Sequence, residues 1–170
     1  MEYKILEKMF EGEEPSSIFE FGCANAGLIA DVVKHFESVE KVGGFDLDLS
    51  DLNKAKELFP TGDFFIHNIN EELKTNLLNI TPIDIVFTVG TLCYQLNPRQ
   101  AIKNMMALGK KIIVAEFHDE NEENPRTGQD GHGRSYFYHD YMAIFKELGI
   151  TPELTHIFNG KTIIKGTYAK

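Results

Sequence analysis

The sequence predicts an α/β fold: a doubly wound, seven-stranded and mostly parallel sheet that ends in an antiparallel hairpin, with helices on both faces. Three observations carry that expectation. Apolar runs of strand length alternate with helix-period segments along most of the chain. The first such pair is joined by a tight, glycine-interrupted turn, Gly22-Cys23-Ala24-Asn25-Ala26-Gly27. The last two runs flank Asn159-Gly160, the strongest short hairpin signal.

Taken in order, residues 1–11 form an amphipathic helix with Tyr3, Leu6 and Phe10 on one face. An acidic Pro/Ser break follows, then a first strand around Ile18–Phe21, then a helix from near Leu28 with Ile29, Val32, Val33 and Phe36 at helical spacing. Residues 42–46 make a second strand. Leu52–Phe59 is a short helix stopped by Pro60, with Asp48 or Ser50 as its cap. Phe64–Ile66 is a third strand. Pro82–Thr88 is the clearest buried strand, and Asn97-Pro98 opens a helix through Met106. Lys111–Phe117 is a fifth strand. Residues 120–135 lose all periodicity, and such a long connection is a binding loop, a lid or disorder. Residues 136–148 resume as a helix with Phe137, Tyr141, Ile144, Phe145 and Leu148 on one face, before the hairpin of residues 155–164.

The chain of 170 residues reads as one domain, with residues 1–14 as an N-terminal helix and residues 118–135 as an irregular lid or acceptor loop. A formal charge of −9 argues against a nucleic-acid partner, whose phosphates need a basic face. No stretch has membrane-spanning length or signal-peptide form, so no membrane partner and a cytoplasmic location are expected. Two cysteines suggest free thiols.

Strand, tight turn, helix aims backbone N–H groups at a nucleotide-like ligand. Gly22 lets the turn form, Ala24 and Ala26 keep the approach low, and Gly27 lets the helix pack closely. A charge at Glu20, near the end of a buried strand, is costly unless something pairs with it, and a ligand ammonium would. An ordinary strand-to-helix turn with no ligand is the competing reading. Asp46 lies twenty-four residues beyond Gly22, where a nucleoside-binding unit places its ribose acid.

Glu20-x-Gly22-Cys23-Ala24-x-Ala26-Gly27 resembles the first motif of class I S-adenosylmethionine-dependent methyltransferases, acid-x-Gly-x-Gly-x-Gly, with two glycines replaced by alanines. Gly44-Phe45-Asp46-Leu47-Asp48 is similar to that family's second motif in spacing. The resemblance covers nearly the whole chain and implies a Rossmann-like fold, S-adenosyl-L-methionine as cofactor and a small-molecule acceptor. It implies cofactor contacts at Glu20, Gly22, Cys23, Ala24, Asn25, Gly27, Asp46, Leu47, Asn68 and Ile69, the last two at the adenine. Asn68 serves equally as a plain turn residue. Thr88, Gly90 and Tyr94 lie at or beyond the end of the fourth strand, and in the family the segment after this strand lies beside the reacting methyl group, which implies cofactor contacts at Thr88 and Gly90 and an acceptor contact at Tyr94. The ring of Tyr94 also suits core packing. A fainter likeness joins residues 90–98, 115–118, 131–134 and 137–141 to small methyltransferases associated with pseudaminic acid and other surface-sugar biosynthesis, which implies a sugar or sugar-linked acceptor.

His118, after the fifth strand, is the candidate base, at the carboxyl edge where open α/β sheets bind ligands. His118, Tyr94, His132 and Arg134 are acceptor-binding candidates, the last two suited to an anionic acceptor. No metal is expected, because no pair among His118, Asp119, His132, His139 and Asp140 has a recognised ligand spacing. Two alternatives stand beside the enzyme: a non-catalytic module that binds the cofactor or its demethylated product, and an NAD(P)-dependent oxidoreductase. Glu20 and the terminal hairpin disfavour the latter. Oligomeric state is not legible.

Overall fold

The computed structural model describes residues 3–73, 82–117, 127–129, 132–158 and 161–169. The elements are α1 (Tyr3–Met9), β1 (Ser17–Phe21), α2 (Gly27–His35), β2 (Lys41–Asp46), α3 (Leu49–Leu58), β3 (Asp63–Ile66) and β4 (Ile83–Val89). A single 3₁₀ turn (Leu92–Tyr94) follows, then α4 (Arg99–Leu108), β5 (Gly109–Phe117), β6 (Thr127–Gln129), β7 (Ser135–Phe137), α5 (Tyr141–Glu147), β8 (Thr151–Phe158) and β9 (Lys161–Thr167).

Seven strands form one sheet in the order β3-β2-β1-β4-β5-β9-β8. The first five are parallel, while β9 runs antiparallel to β5 and β8 antiparallel to β9. The chain grows outward from β1 to β3, then returns to place β4 on the other side of β1. Loops leaving β1 and β4 therefore diverge, which opens a crevice at the carboxyl ends of the strands.

Side-chain alternation along the strands divides the core in two. Phe19, Phe21, Phe45, Val86, Ile112 and Val114 pack on one face with α4 and α5. Ile18, Ile85, Phe87, Ile113 and Ala115 pack on the other with α1, α2 and α3. The helix boundaries follow local chemistry. Asp48 accepts from the N–H groups of Ser50 (2.8 Å) and Asp51 (3.2 Å), so α3 starts earlier than its apolar period suggests. Asn97 accepts from Arg99 N–H (3.2 Å), and Pro98 precedes the first helical residue of α4.

The expected helix over residues 136–148 is corrected to α5. Asp140 accepts from Ala143 N–H (2.8 Å) and so caps a helix that begins at Tyr141. Residues 135–137 are extended and pair with residues 127–129, a small second sheet inside the stretch expected to be irregular. Tyr136 and Tyr138 accordingly meet hydroxyl to hydroxyl at 3.1 Å, as residues two apart do on extended chain. The Asn159-Gly160 turn lies outside the described residues, and the strands flanking it are longer than expected.

Two polar ties secure the sheet away from the crevice. Asp84 accepts from Ser16 N–H (2.9 Å), Ser16 Oγ (2.7 Å), Ser17 N–H (3.1 Å) and Lys110 Nζ (2.7 Å). Burial alone would raise its pKa, but the hydrogen bonds from Lys110 and Ser16 outweigh that and hold the carboxyl well below the usual range. On β9, the buried Lys165 reaches Glu11 O (2.5 Å) and Glu13 Oε1 (2.8 Å), and Glu13 also takes Lys111 at 2.7 Å.

Candidate functional site

The five residues of β1 are all buried, and Glu20 among them is 3% exposed. Its Oε2 is buried without a hydrogen-bond partner. Burial raises the Glu20 pKa well above the carboxylate range, and the nearby charge of Asp46 raises it further.

The turn above it is tightly determined. Gly22 has φ 76°, and a Cβ there would fall 2.3 Å from Thr91 Oγ1, so only glycine fits. The N–H groups of Gly22 and Cys23 both donate to Phe45 O, at 2.8 and 3.0 Å. Ala24 and Ala26 sit at φ 43° and 61°, in the left-handed region. That conformation costs an L-residue about 1–2 kcal/mol, so the turn keeps the backbone of a glycine motif with alanines in it. Asn25 accepts from Gly27 N–H (3.2 Å) at the start of α2.

Asp46 is the clamp. Its Oδ2 accepts from Ala24 N–H at 2.8 Å, and its Oδ1 from Leu47 N–H (2.7 Å) and Asp48 N–H (2.9 Å). A carboxylate offers about four lone-pair positions. Three are filled by the chain's own backbone, so a ligand's two hydroxyls must share what remains or displace Ala24.

A cavity of about 350 Å³ opens beside this turn, lined by Gly22, Phe45, Asp46, Leu47, His67, Asn68, Ile69, Asn70, Thr91 and Gln95. Its size lies within the range of small-molecule sites. Five of the expected cofactor residues (Gly22, Asp46, Leu47, Asn68 and Ile69) thus meet in one place. Asn68 makes its turn as well, accepting from Asn70 N–H (3.1 Å) and donating to Glu71 (3.2 Å). Asn70 reaches across the crevice to hydrogen-bond the side chain of Gln95. Behind this loop, Asn104 of α4 is buried with its amide fully used. It donates to Ile69 O (3.0 Å) and Glu71 O (2.7 Å), and accepts from Leu73 N–H (3.2 Å) and Gln100 (2.9 Å).

Thr88 does not line the cavity. It is completely buried and donates its hydroxyl to Phe21 O at 3.0 Å, tying β4 to β1. Gly90 (φ 61°) sits just after β4, held by its N–H to Ala115 O (3.0 Å). The 3₁₀ turn that follows is organised by Glu116, a residue with 0% exposure on β5. Glu116 accepts from Thr91 N–H (3.0 Å), Leu92 N–H (2.9 Å) and Cys93 N–H (3.2 Å). Burial raises its pKa despite those hydrogen bonds. Cys23 and Cys93 are both free and buried, and burial pushes both thiols far above their ordinary range.

The acceptor candidates divide. Tyr94 and Arg134 meet, the guanidinium lying 4.8 Å above the ring centroid. His132 is exposed. His118 lies outside the described residues. His139, half-buried, bonds Gln95 O through Nε2 (2.8 Å), and burial lowers its pKa. Sequence reading missed Glu116, although the signal it used for Glu20, an acid at the end of an apolar strand, was present there too. It also missed Asn70, Gln95 and Asn104, whose partners depend on how distant loops meet, and the cavity-lining His67 and Thr91. Among the described residues, no group of three or more His, Cys, Asp or Glu side chains is placed to hold a metal ion, and no helix is long and apolar enough to cross a membrane.

No protein-family model matches the chain, and no curated protein matches it in sequence. Solved structures do match it in shape. An S-adenosylmethionine-dependent methyltransferase from Mesorhizobium loti superposes with a TM-score of 0.73 over 98% of this chain and 97% of its own, at 12% identity. One from Aquifex aeolicus gives 0.70 over 99% and 90%, at 13% identity. The fold is that of class I S-adenosylmethionine-dependent methyltransferases. A third structure with this fold, an amino pentose methyltransferase from Micromonospora echinaspora involved in calicheamicin biosynthesis, was solved with S-adenosylmethionine bound. It gives a TM-score of 0.68 over 98% and 88%, at 13% identity.

Proposed function

We propose that the chain binds S-adenosylmethionine and moves its methyl group to a small-molecule acceptor, a sugar or sugar-linked metabolite being the class we favour. The orphaned Glu20 Oε2 carries this reading. A buried carboxylate without a partner is costly, and the ammonium of an amino-acid-bearing nucleoside would relieve it. The cavity at Asp46, Leu47, Asn68 and Ile69 suits the nucleoside half, with Asp46 for ribose and Asn68 and Ile69 for adenine. The sugar class is supported by the amino pentose methyltransferase of the same fold.

When bound, the cofactor supplies a methyl carbon on a sulfonium, so the main task of the chain is alignment. Glu20 and the residue 22–27 turn would hold the amino-acid end, and Tyr94, Arg134 and His132 the acceptor. His118 would take the proton of a hydroxyl or amine acceptor. On that assignment His118→Ala lowers turnover about 10²–10⁴-fold and leaves cofactor affinity unchanged.

Calorimetric titration with S-adenosylmethionine, S-adenosylhomocysteine and NADH, followed by labelled-methyl transfer to a metabolite extract, tests the reading. Binding of the first two with transfer of label supports it; binding of NADH alone sinks it. Binding without transfer would favour a non-catalytic cofactor-binding module, a second reading to which the left-handed Ala24 and Ala26 lend weight.

A further inference from the structure

We propose that the acceptor carries a carboxylate or a phosphate, and that Lys161 is the residue that reads this charge. The proposal rests on the methyltransferase reading for where the acceptor lies, and it adds the acceptor's charge and a residue not otherwise assigned to the site. Lys161 opens β9 and stands in register with Phe117, the last residue of β5. Its Nζ lies 4.2 Å from the centroid of the Phe117 ring. A Cβ on Gly90 would come within 3.4 Å of that Nζ. The ammonium therefore hangs over the backbone just past β4, at the carboxyl edge of the sheet and one residue from Thr91 in the cavity wall.

Burial and pairing together distinguish it from the other described lysines. Of those that are not exposed, Lys8, Lys111 and Lys165 each hold a carboxylate within 3.1 Å. Lys161 holds none among the described residues, in a chain whose formal charge is −9. Glu116 lies near enough to feel its charge, but the hydrogen bonds of that carboxylate go to Thr91, Leu92 and Cys93. A half-buried ammonium resting on a ring keeps its outward side available to an anion.

Phe117 continues into an aromatic shelf. Its ring meets Tyr136 at 4.8 Å, and the Tyr136 hydroxyl meets that of Tyr138. Tyr136 belongs to β7, which packs against the 3₁₀ turn bearing Tyr94, and Arg134 just before β7 covers the Tyr94 ring. Ring faces of this kind suit the C–H face of a sugar or another flat small molecule, and the cations beside them suit its charged group.

The test is a titration of the S-adenosylhomocysteine-loaded protein, followed by ¹⁵N NMR at constant ionic strength. The probes are glucuronate, glucose 1-phosphate and glucose, which separate carboxylate from phosphate and both from a neutral ring. We expect one or both anions to shift the Gly90, Phe117 and Lys161 amides saturably, and glucose to bind at least about tenfold more weakly. Lys161→Gln should weaken anion binding about tenfold, Lys161→Arg should retain it, and both variants should bind S-adenosylhomocysteine as the wild type does. Anion binding unchanged in Lys161→Gln, glucose binding as tightly as its charged analogues, or no anion binding to the loaded protein would each overturn the proposal. Failure of S-adenosylhomocysteine itself to bind would instead overturn the methyltransferase reading, and this proposal with it.

Discussion

The ends of β1 and β5 each bury a glutamate, on opposite faces of the same sheet edge, and the two are treated in opposite ways. Glu116 is surrounded by three backbone N–H groups and shapes the 3₁₀ turn after β4. Glu20, equally hidden, has an oxygen with no partner. Burial raises the pKa of both, and for Glu20 the Asp46 charge adds to it. One acid completes the fold from within; on the function proposed above, the other would be completed by a cation from outside. Depth of burial alone therefore does not mark a binding residue. What separates the two acids is hydrogen bonding, satisfied at Glu116 and unmet at one oxygen of Glu20.

The comparison is broken most forcefully at Glu116. Glu116→Ala strands three N–H groups, each costing about 1–3 kcal/mol when buried. The expected loss is at least about 3 kcal/mol, a fall in Tm of roughly 6–12 °C. A melting curve like that of the wild type would show that the turn stands without it.

Asp46→Ala ranks second. Hydrogen bonds to a charged group contribute about 1.5–3 kcal/mol, so S-adenosylhomocysteine affinity should fall about tenfold to a hundredfold, with the fold intact by circular dichroism. Unchanged affinity would remove Asp46 from the site and leave it as a clamp on Ala24.

Glu20→Gln should separate stability from binding. The folded-state pKa of Glu20 is raised, so folding favours its protonated form. Its contribution is fully present below the unfolded carboxylate pKa and is lost as pH rises through the raised folded value. Glutamine has no charge to expose. Glu20→Gln should therefore match the wild type near pH 4, exceed it in Tm at pH 8, and bind S-adenosylhomocysteine about tenfold more weakly. Equal stability at both pH values would mean that Glu20 is already paired.

The smallest effect is expected at the turn. Ala24→Gly and Ala26→Gly relieve left-handed strain of about 1–2 kcal/mol each, less the backbone entropy of glycine, about 0.5–1 kcal/mol. The double variant should gain a fewfold in cofactor affinity or about 1 kcal/mol in urea stability. Losing both would show that the methyl groups pack to advantage.

Strand and helix alternation was legible because period and length agree in most segments, and chemistry alone narrowed the α3 cap to Asp48 or Ser50, of which the structure uses Asp48. Residues 136–148 misled because Phe137 and Tyr141 share the four-residue spacing of the true helix, while the decisive event is the capping bond of Asp140. That Gly22, Asp46, Asn68 and Ile69 gather around one cavity could be anticipated because each lies at or just past the end of a recognisable strand. Asn104 could not be, since its four partners are arranged by the packing of α4 against a loop some 35 residues earlier. Thr88 was misleading for the opposite reason: a polar residue in the right strand, spent on its neighbour in the sheet.

The tie between Lys165 and the Glu11–Glu13 segment bears on how the chain reaches its native state. It joins residues 154 positions apart, on β9 and just after α1. Closing so long a loop carries an entropic penalty that local contacts cannot offset in advance. The parallel strands and their helices can assemble through nearer contacts while α1 stays undocked. During synthesis α1 would thus settle late, waiting for β9 to be made.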